Sequence, residues 1–421
     1  VAETGLTSLL LDTSAVPSEK LHYLQLYSSL LGKLDTQKYT REKLNTLSIR
    51  YLNGAGFRLS TIPQKDWNDF APVMVISWPG LMGEYTEQLD LVKEILLHTK
   101  FTDNATILDV VKSQIAGMKN QFTNNPVNLL ITRNYALANN CTNYQNYISQ
   151  LEYYDFLVKL EQALQTNSYD VLSGLKSMHG LVLNRTNMIT MFSGNENNIK
   201  KYEEAIMSLV QALPAKAVVM QDYSKLPRPA KKEGIAMDTS VQYNMLSAPY
   251  ERMGTEYNGK LIPIGLVINE NYITPKIRFG YSAYDNIVNF TSTGFMLISY
   301  RDPNIRETFD VYKGLPAFVK GFEITQEELN RYILKAFGTY TAKSGELSGG
   351  IDAMDNYLMG KTPEDRLKLL REIKSTTVQD LRDSAAMFEN LLKNGARSTV
   401  GSAEKISTAK DLYDSILSFG Q

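Results

Sequence analysis

The stretch Ile277–Tyr300, IRFGYSAYDNIVNFTSTGFMLISY, contains two adjacent runs with strand character. Its parts Tyr281–Phe290 and Phe295–Tyr300 are rich in aromatic and β-branched residues, and the short polar segment Thr291–Gly294 joins them. Two such runs around a turn that contains glycine are typical of a β-hairpin. We therefore predict a hairpin here, and the second half of the chain is organised around it.

The segment just before this hairpin, Pro263–Arg278, has the mostly apolar character of a buried helix. That helix would deliver Arg278 to the edge of the sheet, and Tyr284 follows on the first strand. A cation and a phenol at one sheet edge can both hydrogen-bond a carbonyl oxygen or an oxyanion. The alternative is a purely structural pair, in which Arg278 is a salt-bridged surface residue and Tyr284 is a half-buried neighbour.

Length and composition bound the class of protein. The chain has 421 residues, which predicts two domains of about 200 residues each. A hydrophobic content of 43% and a charged content of 21% are typical of a globular protein. The net charge of −1 lacks the basic excess that a nucleic-acid surface requires, so we predict no nucleic-acid partner. The single cysteine, Cys141, excludes an internal disulfide and suits a reducing compartment.

We expect neither a membrane segment nor a leader peptide in this sequence. The apolar run Leu261–Ile268 is among the longest, and it is far shorter than the roughly 18 residues of a spanning helix. The chain begins Val-Ala-Glu-Thr, without Met and without a basic-then-apolar signal. We therefore expect a cytoplasmic protein without a membrane partner, and a start that lies inside a longer polypeptide or at a processed terminus.

The order of predicted elements repeats once along the chain. A Pro/Lys-rich stretch without periodicity, residues 218–235, predicts a linker between a first domain at 1–217 and a second at 236–421. Each half predicts a strand, a helix, a hairpin, several helices, a late strand and a final helix. In the first half the hairpin strands are Leu181–Asn184 and Met188–Ser193, and in the second half the final helix is Ala409–Ser418.

Strands followed by runs of helices favour an α+β fold. We predict two structurally similar domains, each a mostly antiparallel sheet with helices packed on one face. One helix start is especially clear, because Thr325 and Glu328 form a capping-box pattern.

Catalytic motifs are missing from the sequence. The histidines His22, His98 and His179 are far apart, and none lies in an H-x-x-E-H or H-E-x-x-H motif. The chain also lacks a G-x-S-x-G elbow and a phosphate-binding P-loop. Cys141 sits in a polar run without an obvious basic partner. We therefore predict no metal site and no catalytic residue for zinc chemistry in this chain, so that by itself it should bind no catalytic zinc and hydrolyse no peptide.

Two short segments carry a resemblance to a known family. The segment Ile277–Tyr284, IRFGYSAY, and the run Ser299–Asn304, SYRDPN, resemble the pitrilysin/insulinase zinc metallopeptidases. Within that family the chain looks most like the C-terminal, zinc-free half of the presequence-protease branch. The resemblance covers essentially the whole chain and includes the Leu151–Phe156 segment, LEYYDF.

The resemblance implies a role for the Arg/Tyr pair. In this family an arginine and a tyrosine six residues apart reach across a closed chamber and hold the peptide at the zinc site of the other half, and they match Arg278 and Tyr284. The implied function is the C-terminal half of a zinc oligopeptidase that degrades short unstructured peptides. The implied partners are peptide substrates and an N-terminal zinc-binding half, in the same or a companion polypeptide.

The chain departs from the family pattern at two positions. The family has a glycine-rich stretch between the arginine and the tyrosine, whereas this chain has one glycine there, so Tyr281 is expected to be strained. Pro275 predicts a kink or restart in the helix that carries Arg278. A second hypothesis therefore stays open: a non-catalytic peptide-binding or scaffold subunit of the same fold.

Overall fold

The computed structural model describes residues 4–64, 66–166, 169–342 and 346–419. These residues pack into two compact units. The first takes the described residues of Val1–Met118, Tyr144–Leu226 and Gly345–Gly360, and the second takes those of Lys119–Asn143, Pro227–Ser344 and Lys361–Gln421. Each unit therefore contains a segment from the other half of the chain: the described residues of Lys119–Asn143 belong to the second unit, and those of Gly345–Gly360 belong to the first. The domain boundaries at 1–217 and 236–421 are kept as a proposal.

The first unit contains an antiparallel sheet with the strand order β2-β3-β1-β4. Its strands are β1 Thr4–Asp12, β2 Gly56–Pro63, β3 Phe70–Leu81 and β4 Ile189–Gly194. Successive side chains of a strand point to opposite faces, so Leu9 and Leu11 enter the main core while Leu10 packs with Val73 and Val75 on the other face.

Helices between residues 21 and 212 supply the rest of that core and the start of the second unit. Their bounds are α1 Leu21–Leu30, α2 Arg41–Leu52, α3 Tyr85–His98, α4 Asn104–Asn124, α5 Val127–Ala136, α6 Asn140–Ser149, α7 Leu151–Thr166, α8 Tyr169–Val182 and α9 Ile199–Ala212. Short 3-10 turns lie at Ser18–Lys20, Met82–Glu84 and Glu196–Asn198.

The second unit contains a mixed sheet with the order β10-β5-β9-β6-β8-β7. Strands β10, β5 and β9 run parallel, and the remaining neighbours are antiparallel. The strands are β5 Lys232–Met237, β6 Gln242–Ala248, β7 Asp285–Thr291, β8 Gly294–Asp302, β9 Ala396–Ser402 and β10 Ser415–Ser418.

The helices of the later chain cover this sheet, except that α15 packs with the first unit. They are α10 Tyr250–Met253, α11 Leu261–Ile268, α12 Arg306–Lys313, α13 Leu315–Gly321, α14 Gln326–Thr341, α15 Glu346–Leu358, α16 Pro363–Lys374, α17 Val378–Asp383, α18 Ala385–Asn394 and α19 Ala403–Thr408, with a 3-10 turn at Lys410–Leu412. The predicted capping box is confirmed, since Thr325 Oγ1 accepts from the amide of Glu328 and the Glu328 carboxylate accepts from the amide of Thr325. The α+β class with two sheets is also confirmed.

The hairpin prediction is correct for the second unit and wrong for the first. Strands β7 and β8 pair directly around a two-residue turn. In the first unit, Leu181 and Val182 are the end of helix α8, and β4 pairs with the distant strand β1 instead of with a strand immediately before it. The buried positions Val171, Leu175, Met178 and Val182 follow a helical spacing, so the apolar run at 181–183 extends a helix face.

The predicted helix Ala409–Ser418 is also wrong. The segment holds the 3-10 turn Lys410–Leu412 and then β10, which pairs parallel to β5. Directly after β10, the amide of Phe419 donates to the carbonyl of Ala236 at 2.9 Å. A four-residue strand has little periodicity of its own, and the open side of β5 supplies the partner that makes it a strand.

Candidate functional site

The helix that carries Arg278 changes its winding before it ends. Helix α11 continues directly into a π-helical segment, Asn269–Gly280, with Pro275 inside it. Near its end the amide of Tyr281 donates to the carbonyl of Lys276 at 3.0 Å, a spacing of five residues. Proline lacks an amide donor and its ring crowds the preceding turn, so a wider turn accommodates Pro275 without a break. In place of the kink or restart predicted at Pro275, the helix changes from α-helical to π-helical winding.

Arg278 and Tyr284 lie at the two ends of one short connection between the π-helix and β7. The side chain of Arg278 is exposed, and its guanidinium carbon lies 5.8 Å from the centre of the Phe279 ring. Tyr284 directly precedes β7 and is 65% exposed. Its amide donates to the carbonyl of Tyr300 at 3.1 Å, which attaches this end of the connection to the sheet.

The purely structural alternative expected a salt bridge on Arg278 and a half-buried Tyr284. Across the part of the chain that the structure describes, no carboxylate forms an ion pair with Arg278, and the Tyr284 hydroxyl makes no hydrogen bond. Both polar groups are therefore accessible to an external ligand. Their part in substrate binding stays a prediction.

The backbone strain of this connection lies one residue from its expected place. Tyr281 has an ordinary φ of −112°, whereas Ser282 has a φ of 64°. The missing glycine is thus replaced by a small residue in the left-handed conformation, at an energetic cost that glycine would avoid.

A second left-handed residue lies on the neighbouring strand. Arg301 has a φ of 48°, and it sits where the register between β6 and β8 shifts. Gln242 pairs with Asp302 and Asn244 pairs with Ser299, so Tyr300 and Arg301 together face one residue, Tyr243. This arrangement is a β-bulge, a feature that re-aims side chains and is frequent beside functional sites.

A buried carboxylate holds the chain after the bulge. Asp302 is fully buried and accepts hydrogen bonds from the hydroxyl of Thr308 at 2.5 Å and the amide of Asn304 at 2.8 Å. The side-chain amide of Asn244 donates to the same carboxylate at 3.3 Å and to the carbonyl of Asn304 at 2.9 Å. We call Asn244, Asp302, Asn304 and Thr308 the Asp302 cluster.

The Asp302 cluster reaches the connection that carries the candidate pair. The side-chain amide of Asn304 donates to the carbonyl of Tyr281 at 2.8 Å, beside the left-handed Ser282. Sequence reasoning noticed the run Ser299–Asn304 only as a resemblance and missed this support. An Asp-Pro-Asn sequence at the end of a strand was the available signal, because Asp and Asn side chains readily bond nearby backbone amides.

Three tyrosine rings lie close together on β6, on β8 and on the residue before β7. The ring centres of Tyr284 and Tyr300 are 6.0 Å apart, and those of Tyr300 and Tyr243 are 5.1 Å apart with nearly perpendicular planes. Burial raises the pKa of Tyr243 and the nearby Tyr300 raises it further, while the charge of Arg301 acts in the opposite direction. Arg301 is therefore close to the Tyr243 hydroxyl.

The histidines have structural surroundings. The His22 ring stacks on Tyr147 with ring centres 4.5 Å apart, and its Nε2 hydrogen-bonds the carbonyl of Tyr147. The Nδ1 atom of His179 hydrogen-bonds the Tyr27 hydroxyl at 2.7 Å, and His98 is exposed. Burial lowers the pKa of both His22 and His179.

The residues that the structure describes form no zinc site. Among the described residues, no group of three or more His, Cys, Asp or Glu side chains could hold a metal. Cys141 is buried. The same described residues contain no helix that is both long and apolar enough to cross a membrane.

Comparison with known proteins assigns the class. The family model for the domain associated with M16 peptidases of subfamily C matches residues 7–160, and the model described as PreP C-terminal domain matches residues 232–405. Together the two models match more than half of the chain, which belongs to the M16 peptidase family and corresponds to its C-terminal half.

Its curated relatives are much longer than the chain. It is 28% identical over 412 residues to Protein HypA of Clostridium perfringens, and the match covers 97% of this chain and 42% of that protein. It is 24% identical over 410 residues to Presequence protease 1, chloroplastic/mitochondrial, of Arabidopsis thaliana, covering 96% of this chain and 38% of that protein. The chain therefore spans about two fifths of the length of these relatives.

Solved structures show the same fold. The peptidase M16 inactive domain from Pseudomonas fluorescens superimposes with a TM-score of 0.63 at 14% identity, covering 96% of this chain and 93% of that one. The periplasmic protease PqqL from Escherichia coli superimposes with a TM-score of 0.61 at 12% identity, covering 97% of this chain and 46% of that one. At these identities the likeness concerns the fold alone.

Proposed function

We propose that this chain is the substrate-orienting half of a zinc oligopeptidase that degrades short unstructured peptides in a closed chamber. The zinc site would lie in an N-terminal half, in the same or a companion polypeptide, and that half is the proposed partner. The observation that supports the proposal most strongly is the connection between the π-helix and β7, which presents exposed Arg278 and Tyr284 from a strained, anchored backbone. The cytoplasmic location stays a prediction.

The proposed task of the pair is to hold a peptide carbonyl and to stabilise the negative charge that develops on its oxygen. The Arg278 guanidinium offers a planar set of donors with a permanent positive charge. The Tyr284 hydroxyl offers one further donor, with its backbone anchored to β8. Donors that are fixed before the reaction act on the transition state more strongly than flexible ones.

The first test removes one hydroxyl. In the full protein with its zinc-bearing half, Tyr284→Phe is expected to lower kcat more than it raises KM, because the lost donor acts on the developing charge. Loss of such a donor typically lowers the rate about 10²- to 10³-fold. The matched control is Tyr357→Phe, since Tyr357 is 82% exposed and lies on α15 of the other unit.

Arg278→Lys completes this test by keeping the charge and removing the planar fork. A substantial loss of kcat with normal folding is expected, because lysine cannot reproduce the bidentate geometry. Full activity of Tyr284→Phe, or unfolding of the second unit by Arg278→Lys, would show that the pair is structural.

The alternative, a non-catalytic peptide-binding or scaffold subunit of the same fold, is not favoured by the comparison with known proteins. The absence of a metal-binding group among the described residues is compatible with both candidates. Peptide hydrolysis by the full protein that is sensitive to a chelator would favour the oligopeptidase, and peptide binding without hydrolysis would favour the scaffold.

A further inference from the structure

Beyond Arg278 and Tyr284, the neighbouring strand β8 presents a second arginine in an unusual backbone conformation. We propose that Arg301, next to the tyrosines Tyr243, Tyr284 and Tyr300, binds a carboxylate of the peptide substrate. The inference rests on the proposed function, because it assigns a substrate-binding residue to the same peptide-binding surface.

The first argument is the conformation of Arg301. Its φ of 48° is sparsely populated for a residue with a side chain, and it occurs at a bulge that an ordinary antiparallel pair would not contain. Without the bulge, the strict alternation of β8 would place this side chain differently. The neighbouring Asp302 is fully buried and bonded within its own cluster, so the position after the bulge is held firmly.

The second argument is the charge around Arg301. Its side chain is exposed, and no carboxylate of the described residues forms an ion pair with it. Asp302 is adjacent in sequence, but its carboxylate accepts hydrogen bonds from Thr308 and Asn304. The guanidinium thus keeps donors for an external anion.

The third argument is the aromatic surface beside it. Tyr300, the chain neighbour of Arg301, is half-buried, and its ring centre lies 6.0 Å from that of Tyr284, which is 65% exposed, and 5.1 Å from that of the buried Tyr243. Aromatic rings provide flat apolar contact for a peptide. Next to such rings, water competes less strongly with a ligand for the donors of an arginine. Arginine prefers a planar, bidentate acceptor, and in a peptide that acceptor is a carboxylate.

A nearby acidic residue sharpens the inference. Asp285 is exposed and stands opposite Tyr300 in the pairing of β7 with β8. Its charge has the same sign as the proposed ligand, so it weakens binding of the carboxylate. Removing that charge should therefore strengthen the effect of Arg301.

The experiment compares three peptides with one sequence in the full protein. One has a free C-terminal carboxylate, one has a C-terminal amide, and one keeps the free carboxylate but has an internal Glu replaced by Gln. The variants are Arg301→Gly and Arg301→Lys, with Asp285→Asn and Arg278→Lys for comparison. Glycine is chosen because it adopts a φ of 48° without strain. The Arg301→Gly variant is therefore expected to fold normally, so that a change in activity reports the loss of the side chain.

In the wild type, kcat/KM should be about tenfold higher for the peptides that retain the recognised carboxylate than for the peptide that lacks it, as is typical of charge-assisted hydrogen bonds. The difference should arise from a lower KM. Arg301→Gly should abolish this preference, Arg301→Lys should keep part of it, and Asp285→Asn should increase it. Arg278→Lys should lower kcat for all peptides equally. The amide and the Gln peptides distinguish a terminal carboxylate from a side-chain one.

Two outcomes would overturn the inference: no preference for either carboxylate in the wild type, or an unchanged preference in Arg301→Gly. If the full protein hydrolyses none of the peptides, the proposed function fails separately. The inference is then decided by fluorescence anisotropy with labelled peptides and the full protein in chelator. Arg301→Gly must weaken binding of the peptides that retain the recognised carboxylate and leave binding of the peptide that lacks it unchanged, and any other result refutes it.

Discussion

The six-stranded sheet uses arginine in two opposite ways at its two sides. On β5, next to the edge strand β10, Glu233 forms a bidentate pair with Arg133 of α5, at 2.6 Å from Nε to Oε2 and 2.7 Å from Nη2 to Oε1. Both residues are only 3% exposed. On the opposite side, at β7 and β8, Arg278 and Arg301 are exposed and form no ion pair with the described residues.

This comparison separates structural from ligand-binding arginines. A buried arginine whose donors are occupied contributes to the fold and is not accessible to a substrate. An exposed arginine without an ion-pair partner contributes little to stability, because surface charges are well solvated. Three changes test this difference through the free energy of unfolding.

Arg133→Met is expected to have the largest effect. It leaves the Glu233 carboxylate buried without its main partner, and breaking a buried pair in this way typically costs about 3–5 kcal/mol. Denaturant unfolding followed by circular dichroism measures the change. The double variant Arg133→Met/Glu233→Leu should recover most of the loss, and a single variant as stable as the wild type would contradict the structural role of the pair.

Thr308→Val tests the Asp302 cluster and should have an intermediate effect. Valine has nearly the shape of threonine but removes the donor to the buried carboxylate, which typically costs about 1–3 kcal/mol. The same denaturant titration measures it, with Thr339→Val on the exposed face of α14 as the control. Equal stability of the two variants would show that Asp302 does not depend on this hydrogen bond.

Arg278→Met should have the smallest effect on stability. The residue is exposed and unpaired among the described residues, so the expected change is within about 0.5 kcal/mol. The thermal midpoint and the denaturant midpoint should both match the wild type. A loss as large as that of Arg133→Met would remove the distinction between the two sides of the sheet.

Much of the local structure could be predicted from residue patterns. The hairpin β7–β8 and the capping box at Thr325 each depend on neighbours within a few residues, and the structure confirms them. The failures lie at Leu181–Asn184 and Ala409–Ser418. Short apolar runs are compatible with a helix end or a strand, and pairing partners far away in sequence decide between them.

By itself, the sequence determined the α+β class, the family resemblance and the candidate pair Arg278 and Tyr284, because composition, turn chemistry and motif spacing are local properties. Only the tertiary structure decided that Ser282 and Arg301 take left-handed conformations, that Asp302 anchors the connection through Asn304, and that Glu233 is buried against Arg133. These features depend on strand register and on contacts between distant residues. The spacing of residues along a chain does not encode either of them directly, since the same local pattern is compatible with several registers and partners.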